Sequence, residues 1–312
     1  MPELPEVETV RRGLEEQIAG RVFAGLSFLE WPRTIAAPDP DALAARIAGR
    51  RVRGVRRRAK FLIVDLDGGE HLIIHLRMTG QLRVAPGDAP RDRFERAAFA
   101  FEDGDELRFS DIRRFGRIAL LNDAGLADRF RALGPEPLDD EWDAGAFAAT
   151  LAGRRMRLKP LLLDQSFLAG LGNIYVDEAL HRAGLHPLAA AADVPPDRAA
   201  ALHAAIREVL GEAVASGGTS FSNYRDAWGR EGGYYERRRV YGRAGEPCPA
   251  CGAAIARIVV GGRGTHFCPD CQPLTGSKVE GRKSEVVPFP QPERALRRVA
   301  ETSEGYDATD RE

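Results

Sequence analysis

No apolar run in the 312 residues reaches the ~18 residues a membrane-spanning helix needs. No charged-then-apolar leader precedes the acidic start, so no secretory signal is expected and the default is a soluble cytoplasmic chain. No internal repeat is present. Cysteine is scarce, with four residues, all between 248 and 271. In a cytosolic chain that makes a disulfide framework a weak alternative. An excess of positive charge is missing too. The formal net charge is −1, which taken alone argues against a nucleic-acid partner.

What is present changes the reading. Arg50, Arg51, Arg53, Arg56, Arg57, Arg58 and Lys60 form a basic run with no acid in it. Arg154, Arg155, Arg157 and Lys159 form a second, Arg113, Arg114 and Arg117 a third beside Asp111, and Arg237, Arg238, Arg239 and Arg243 a fourth. A charge run is usually a solvated face. Four of them in an otherwise balanced chain read as a segmented cationic groove. The cysteines read Cys248-x2-Cys251, then Cys268-x2-Cys271, the spacing of a four-thiolate structural zinc site. His266 lies between the pairs, but four thiolates already close such a site. With 44% hydrophobic residues, the chain is long enough for two or three domains.

Helix-spaced Val7, Val10, Leu14 and Ile18 predict a first helix from Pro5 to Gly20. A strand is expected over 21–30 and a short helix over 38–49, with Leu43 and Ile47 inward. From 52 to 122 the pattern is strand upon strand. Segments 61–66 and 71–76 flank Asp67-Gly68-Gly69, and 97–101 and 106–110 flank Asp103-Gly104, both hairpin signals. Segment 116–122 follows, and 86–96 reads as a polar loop. Seven or eight short strands predict two packed sheets. Residues 134–140 read as a linker. Helices are then expected over 160–163, 173–183 and 196–216, broken at Gly184-Leu185-His186-Pro187, a helix, two-turn, helix layout. Residues 217–239 read as a mobile loop. Segments 255–260 and 265–267 flank Gly261-Gly262-Arg263-Gly264 as a β-hairpin that depends on metal. Residues 273–312 are polar and expected to be disordered, with room for a short helix at 292–300.

The fold class is therefore α+β and multidomain. A two-sheet β-sandwich with flanking helices spans 1–133 and a linker 134–143. A helical helix-two-turn-helix module with a loop spans 144–233, and a β-hairpin zinc finger 234–272.

The first residues, Met1-Pro2-Glu3-Leu4-Pro5-Glu6, have their own chemical logic. Pro2 is small enough that Met1 is normally removed. The new terminus is a secondary amine, and an α-amino group titrates near ~8, so part of it is neutral and nucleophilic at neutral pH. A secondary amine condenses with a sugar aldehyde to a cationic iminium, a strong electron sink. Glu3 and Glu6 place two carboxylates beside it. Pro and Glu are also common in a first helical turn for structural reasons.

The run from Pro2 to Arg12 resembles the amino-terminal signature of the formamidopyrimidine-DNA glycosylase (Fpg) family of DNA repair enzymes, and the resemblance extends over about 1–272. It implies a bifunctional glycosylase and AP lyase that excises oxidised purines from duplex DNA, acting as a monomer with one structural zinc. Pro2 corresponds to the family's nucleophile and Glu3 to the acid that assists sugar-ring opening. A helix amino terminus lowers a carboxylate pKa, so burial and Glu6 have to outweigh it. Lys60 corresponds to an active-site lysine near the lesion phosphate. Glu6 belongs with the residues facing the DNA. His75-Leu76-Arg77-Met78-Thr79-Gly80 and Asp111-Ile112-Arg113-Arg114-Phe115-Gly116 match the intercalation elements. There Met78 and Phe115 fill the hole left by a flipped base, and Arg113 donates to the orphaned cytosine. Met and Phe are more often core residues, but an Arg-Arg-Phe-Gly loop is hard to bury.

Arg154 matches a phosphate-contacting lysine. In Gly170-Leu171-Gly172-Asn173-Ile174-Tyr175 the glycines would let helix amides approach a phosphate, and Asn173 would cap the helix and touch the strand. Arg263 matches the finger arginine, residues 217–239 the loop over the flipped base, and Tyr241 borders it. Three positions depart from the family pattern: Phe94 where histidine is frequent, Ile112 where proline is usual, and Arg77 where glycine is common. The tail beyond 272 is also unusual. Two rival readings remain: an endonuclease VIII-type enzyme for oxidised pyrimidines, and a non-catalytic zinc-dependent DNA-binding protein.

Overall fold

The computed structural model describes residues 2–221 and 223–274. Removal of Met1, the tail beyond 274 and its helix at 292–300 lie outside the described residues.

Helix α1 spans Leu4–Ile18, starting one residue before the expected Pro5. Its stripe of Val7, Val10, Leu14 and Ile18 is fully buried, and each such aliphatic side chain contributes about 1.5–3 kcal/mol. Strands β1 (Phe23–Leu29) and β2 (Ile35–Ala37) follow, then α2 (Pro40–Ile47), capped by the Asp39 side chain on the Ala42 amide. Strands β3 (Val52–Arg58), β4 (Phe61–Leu66), β5 (Glu70–His75), β6 (Gly80–Pro86), β7 (Glu95–Phe101), β8 (Asp105–Asp111) and β9 (Arg117–Asn122) complete two sheets. One runs β1-β7-β8-β6 and the other β2-β9-β5-β4-β3, with only β2 and β9 parallel. Their facing apolar sides and α1 share one core that includes Phe23, Leu62, Phe99 and Ile118.

A second core is helical. It gathers α4 (Ala144–Ala152), α5 (Leu158–Leu163), α6 (Asn173–Arg182) and α7 (Pro196–Ala215). The expected helices over 160–163, 173–183 and 196–216 are there. Helices α3 (Asp123–Phe130) and α4 and strand β2 were not anticipated. The two-stranded sheet β10 (Ala256–Val260) and β11 (Arg263–Phe267) forms the C-terminal hairpin. Its turn is Gly261-Gly262 alone, both at positive φ, as a two-residue type I′ turn requires. Among the described residues, no helix is long and apolar enough to cross a membrane.

Leu4 decides where the chain begins in space. It is the one residue of α1 that belongs to the helical core, while Val7 to Ile18 belong to the sandwich core. Leu4 N–H also donates to Gly170 O at 3.0 Å. The amino terminus is thereby pinned at the seam between the two modules.

Several cations of the segmented groove read from the sequence are instead paired within the fold. Arg56 pairs with Asp65, Arg57 with Glu8 and Glu136, and Arg58 with Glu136. Lys159, read as part of the second run, is fully buried against Asp177 at 2.6 Å. These cations hold the fold together, since a buried acid needs a partner. The linker is therefore fixed to the sandwich through Glu136. Residues 217–239 are also more anchored than their composition suggests. Tyr224 and Ala227 enter the sandwich core and Tyr234 the helical core.

Candidate active site

Glu3 is the N-cap residue of α1, yet its carboxylate serves another helix. Oε1 accepts from the Ile174 amide at 3.0 Å and Oε2 from the Tyr175 amide at 3.5 Å, in the first turn of α6. Those amides are orphan donors at any helix start. The glycines before α6 make room for α1: a Cβ on Gly172 would lie 2.2 Å from Glu3 Cδ, and one on Gly170 2.6 Å from Leu4 Cδ1. The Ile174 and Tyr175 amides are thus taken by a protein carboxylate, where the sequence suggested a phosphate.

Glu6 is 1% exposed. Its carboxylate accepts from Glu3 N–H at 2.8 Å, Thr219 N–H at 2.7 Å and the Tyr175 hydroxyl. Burial pushes the Glu3 pKa up, against the lowering influence of Lys60 and the two α6 amides. Burial and then the Glu3 charge push Glu6 up. At Glu3 burial thus outweighs the α6 amides and Lys60. The Tyr175 hydroxyl is also driven up, by burial and then by Glu6.

Lys60 sits in the two-residue turn between β3 and β4 and donates to Leu171 O at 2.7 Å. Burial lowers its pKa, against the attraction of Glu3 and Glu6. Glu3, Lys60, Met78, Asn173, Tyr241 and Arg263 line one cleft of ≈ 530 Å³. Pro2 and Glu6 line a small adjoining recess with Thr219 and Tyr224. Met78 and Ile174 form walls of both.

His75, Arg77 and Gln165 also line the cleft. Burial, with Arg77 and Lys60 nearby, lowers the His75 pKa to about 3, so the ring is neutral. Its Nδ1 accepts from Arg77 N–H at 3.0 Å, which leaves the proton on Nε2. His75 stood in a motif quoted from the sequence but carried no role there.

Met78 is 38% and Phe115 49% exposed, and Arg113 lies 4.8 Å over the Phe115 ring. Met78 and Phe115 are thus partly open to solvent, and Met78 also walls the cleft and the recess. Arg154 is exposed beyond the end of α4 and does not line the cleft.

The hairpin is docked on α6. Asp177 accepts from Lys159 Nζ and from His266 N–H at 2.8 Å, and Asn173 Nδ2 donates to Gly264 O at 2.9 Å. Glu178, next along α6, accepts from the successive amides of Arg239, Val240 and Tyr241 at 2.8–3.0 Å, which places Tyr241 at the cleft. Nothing in the sequence marked Asp177 or Glu178, because their partners lie on remote segments. Arg263 opens β11 instead of sitting in the turn, and this sets it at the cleft mouth.

The four Sγ atoms of Cys248, Cys251, Cys268 and Cys271 lie within 4.8 Å of one another. Tetrahedral Zn–S bonds near ~2.3 Å place sulfurs roughly 3.8 Å apart, so the set fits one zinc with no open position. His181 Nε2 approaches Cys248 Sγ at 3.4 Å, an outer contact that orients a ligand.

Comparison with known proteins agrees with this anatomy. Residues 1–118 match the family model for the formamidopyrimidine-DNA glycosylase N-terminal domain, and 133–225 match its H2TH domain. Residues 245–274 match the zinc finger found in FPG and IleRS. The formamidopyrimidine-DNA glycosylase of Chloroflexus aggregans is 50% identical over 277 residues, 88% of this chain and 99% of the relative. That of Herpetosiphon aurantiacus is 48% identical over 272 residues, 87% of this chain and all of the relative. Among solved structures, Lactococcus lactis Fpg in complex with abasic-site DNA superposes with TM-score 0.82 at 39% identity, covering 87% of this chain and 99% of the other. The wild-type Lactococcus lactis enzyme with N7-benzyl-Fapy-dG DNA gives the same TM-score and identity, covering 87% and 100%. The chain belongs to the formamidopyrimidine-DNA glycosylase family.

Proposed function

We propose that this enzyme, a DNA glycosylase and AP lyase of base excision repair, excises oxidised purines through an iminium formed on Pro2. The observation that carries this reading is one convergence: Glu3, Lys60 and Arg263, from three distant segments, share a cleft whose wall continues into the recess of Pro2. Loss of Met1 frees the Pro2 nitrogen. That nitrogen attacks C1′ of an extruded nucleotide and gives up its own proton, and the C1′–base bond breaks as the base leaves with its electron pair and takes up a proton. Glu3, kept protonatable by burial, gives a proton to O4′. The C1′–O4′ bond opens and leaves a C=N⁺ iminium. Removal of a C2′ proton expels the 3′ phosphate, and a second elimination through C4′ expels the 5′ phosphate.

Lys60 and Arg263 hold the phosphates beside the lesion at the cleft mouth. Met78, Arg113 and Phe115 fill the hole in the duplex, and Arg113 pairs with the widowed base. Glu6 shapes the recess, while Asn173, Tyr241 and Arg154 hold the strand. Zn²⁺ on Cys248, Cys251, Cys268 and Cys271 keeps the hairpin folded and takes no part in bond making. The site of action is the bacterial cytosol, on the nucleoid, with the enzyme acting as a monomer.

Borohydride reduction during turnover tests this. A covalent adduct should form between the chain and lesion DNA, at Pro2 by peptide mapping. A chain with an unblocked Pro2 that gives no adduct excludes the mechanism. Cutting of 8-oxoguanine opposite cytosine should exceed cutting of thymine glycol.

A further inference from the structure

Asp111 ends β8 and is 1% exposed. Three donors from two loops converge on its carboxylate. Thr79 Oγ1, in the loop that carries Met78, donates to Oδ1. Arg113 N–H donates to the same Oδ1 at 3.2 Å and to Thr79 Oγ1 at 3.1 Å. Gly116 N–H closes the far side on Oδ2 at 2.7 Å. The backbone of Asp111 is itself fixed: its N–H donates to Phe94 O at 2.9 Å, and its carbonyl accepts from Arg96 Nε at 2.9 Å.

The two loop tips need such an anchor. Among the described residues, Ala59, Arg77 and Arg114 are the non-glycine residues at positive φ. Arg77 (φ 56°) directly precedes Met78, and Arg114 (φ 60°) directly precedes Phe115. A residue with a Cβ disfavours that region, so each tip is held against its own preference. Met78 and Phe115 are themselves partly exposed, and beyond Asp111 the second tip is held by the Arg114 guanidinium, which donates to Glu30 at 2.8 Å and lies over the Trp31 ring.

We propose that Asp111 is a positioning residue that joins the Met78 loop and the Arg113–Phe115 loop into one preformed wedge. It touches no reacting atom. It fixes the spacing of the two tips, so both enter the duplex together and little ordering remains to be done as the base leaves. The inference rests on the reading of Met78, Arg113 and Phe115 as the elements that fill the hole.

The test compares two substrates under single turnover: a paired lesion in duplex DNA, and an abasic single strand, which needs no hole filled. Asp111→Asn turns an acceptor into a donor facing N–H groups. It should slow excision of the paired lesion about 10- to 100-fold, the scale of lost charge-assisted hydrogen bonds. Borohydride trapping on the abasic strand should stay within about 3-fold, because hydrogen bonds to Asp111 are not made there to the substrate. Thr79→Val removes one arm only and should move the paired lesion in the same direction, by less. It carries the test if Asp111→Asn does not fold. Wild-type excision of the paired lesion by both variants overturns the proposal. Equal slowing on both substrates also overturns it, since that marks a general structural role. Failure of the underlying reading looks different: Met78→Ala and Phe115→Ala would then leave paired-lesion excision unchanged.

Discussion

Glu3 and the α-carbon of Gly172 are in contact so close that no side chain fits between them: a Cβ there would lie 2.2 Å from the Glu3 carboxyl carbon. Gly172→Ala is therefore predicted to fold, because a side-chain end can give way, but to push Glu3 off the Ile174 amide. Loss of a positioned acid costs on the order of 100-fold or more in rate. Single-turnover excision by Gly172→Ala measures it. Excision at the wild-type rate would mean that Glu3 needs no such placement.

The same carboxylate makes a prediction about pH. The folded-state pKa values of Glu3 and Glu6 are raised by burial from an ordinary value of 4.5. Their contribution to stability is present below that value and is lost as pH rises through the raised ones. Lys60 is lowered by burial from 10.5, so its contribution is present above that value and is lost as pH falls. Toward neutral pH the burial of these three groups therefore works against folding. Glu3→Gln should be more stable than the parent and catalytically impaired. The gain should be small near pH 4.5 and grow toward neutral. Urea unfolding across that range checks the trend, and a constant difference would refute it.

These relationships show what a sequence can and cannot disclose. The stripe of α1 and the limits of β4 were legible because periodicity is local. The cysteine spacing was legible because metal geometry constrains it. Pro2 and Glu3 were suggested by the chemistry of a secondary-amine terminus beside a carboxylate, while Lys60 and Arg263 were found through family resemblance alone, and no pattern in the chain said that these two approach Glu3. The burial of Lys159 was invisible because Asp177 approaches it only in three dimensions. Helix α4 was missed because Ala144–Ala152 is nearly all alanine and apolar, with no alternating polar face to mark a helix. Asp111 looked like a counter-ion in a basic run, since its partner Thr79 lies on another loop.

Arg77 stands where glycine is common in the family, and its φ of 56° explains what glycine would do there. A left-handed L-residue costs about 1–2 kcal/mol, while glycine loses about 0.5–1 kcal/mol more chain entropy on folding. Arg77→Gly should thus leave the protein equally stable or up to about 1.5 kcal/mol more stable by urea unfolding. Arg77 also lines the cleft. Its removal should weaken DNA binding and reduce the salt slope by about one counterion. A clear loss of stability would show that the Arg77 side chain holds the loop in a way the backbone angle does not reveal.

Zinc removal should act on the cleft through the hairpin. The apolar cluster of this module is Val240, Cys248, Ile255 and Cys268 with Ala253 and Cys271 packed against it, far too small to fold alone. Zinc-finger peptides draw roughly 10–16 kcal/mol from the metal. Without it, β10 and β11 should come off α6, breaking the contacts of Gly264 with Asn173 and of His266 with Asp177. Arg263 then leaves the cleft mouth, and phosphate contact is lost with it. The sandwich and helical cores share no cysteine and should persist, so far-UV circular dichroism should change little while affinity for lesion duplex collapses. Metal analysis should give one zinc per chain, released in step with the loss of binding. Full affinity in a metal-free chain would show that Arg263 is held at the cleft by α6 alone.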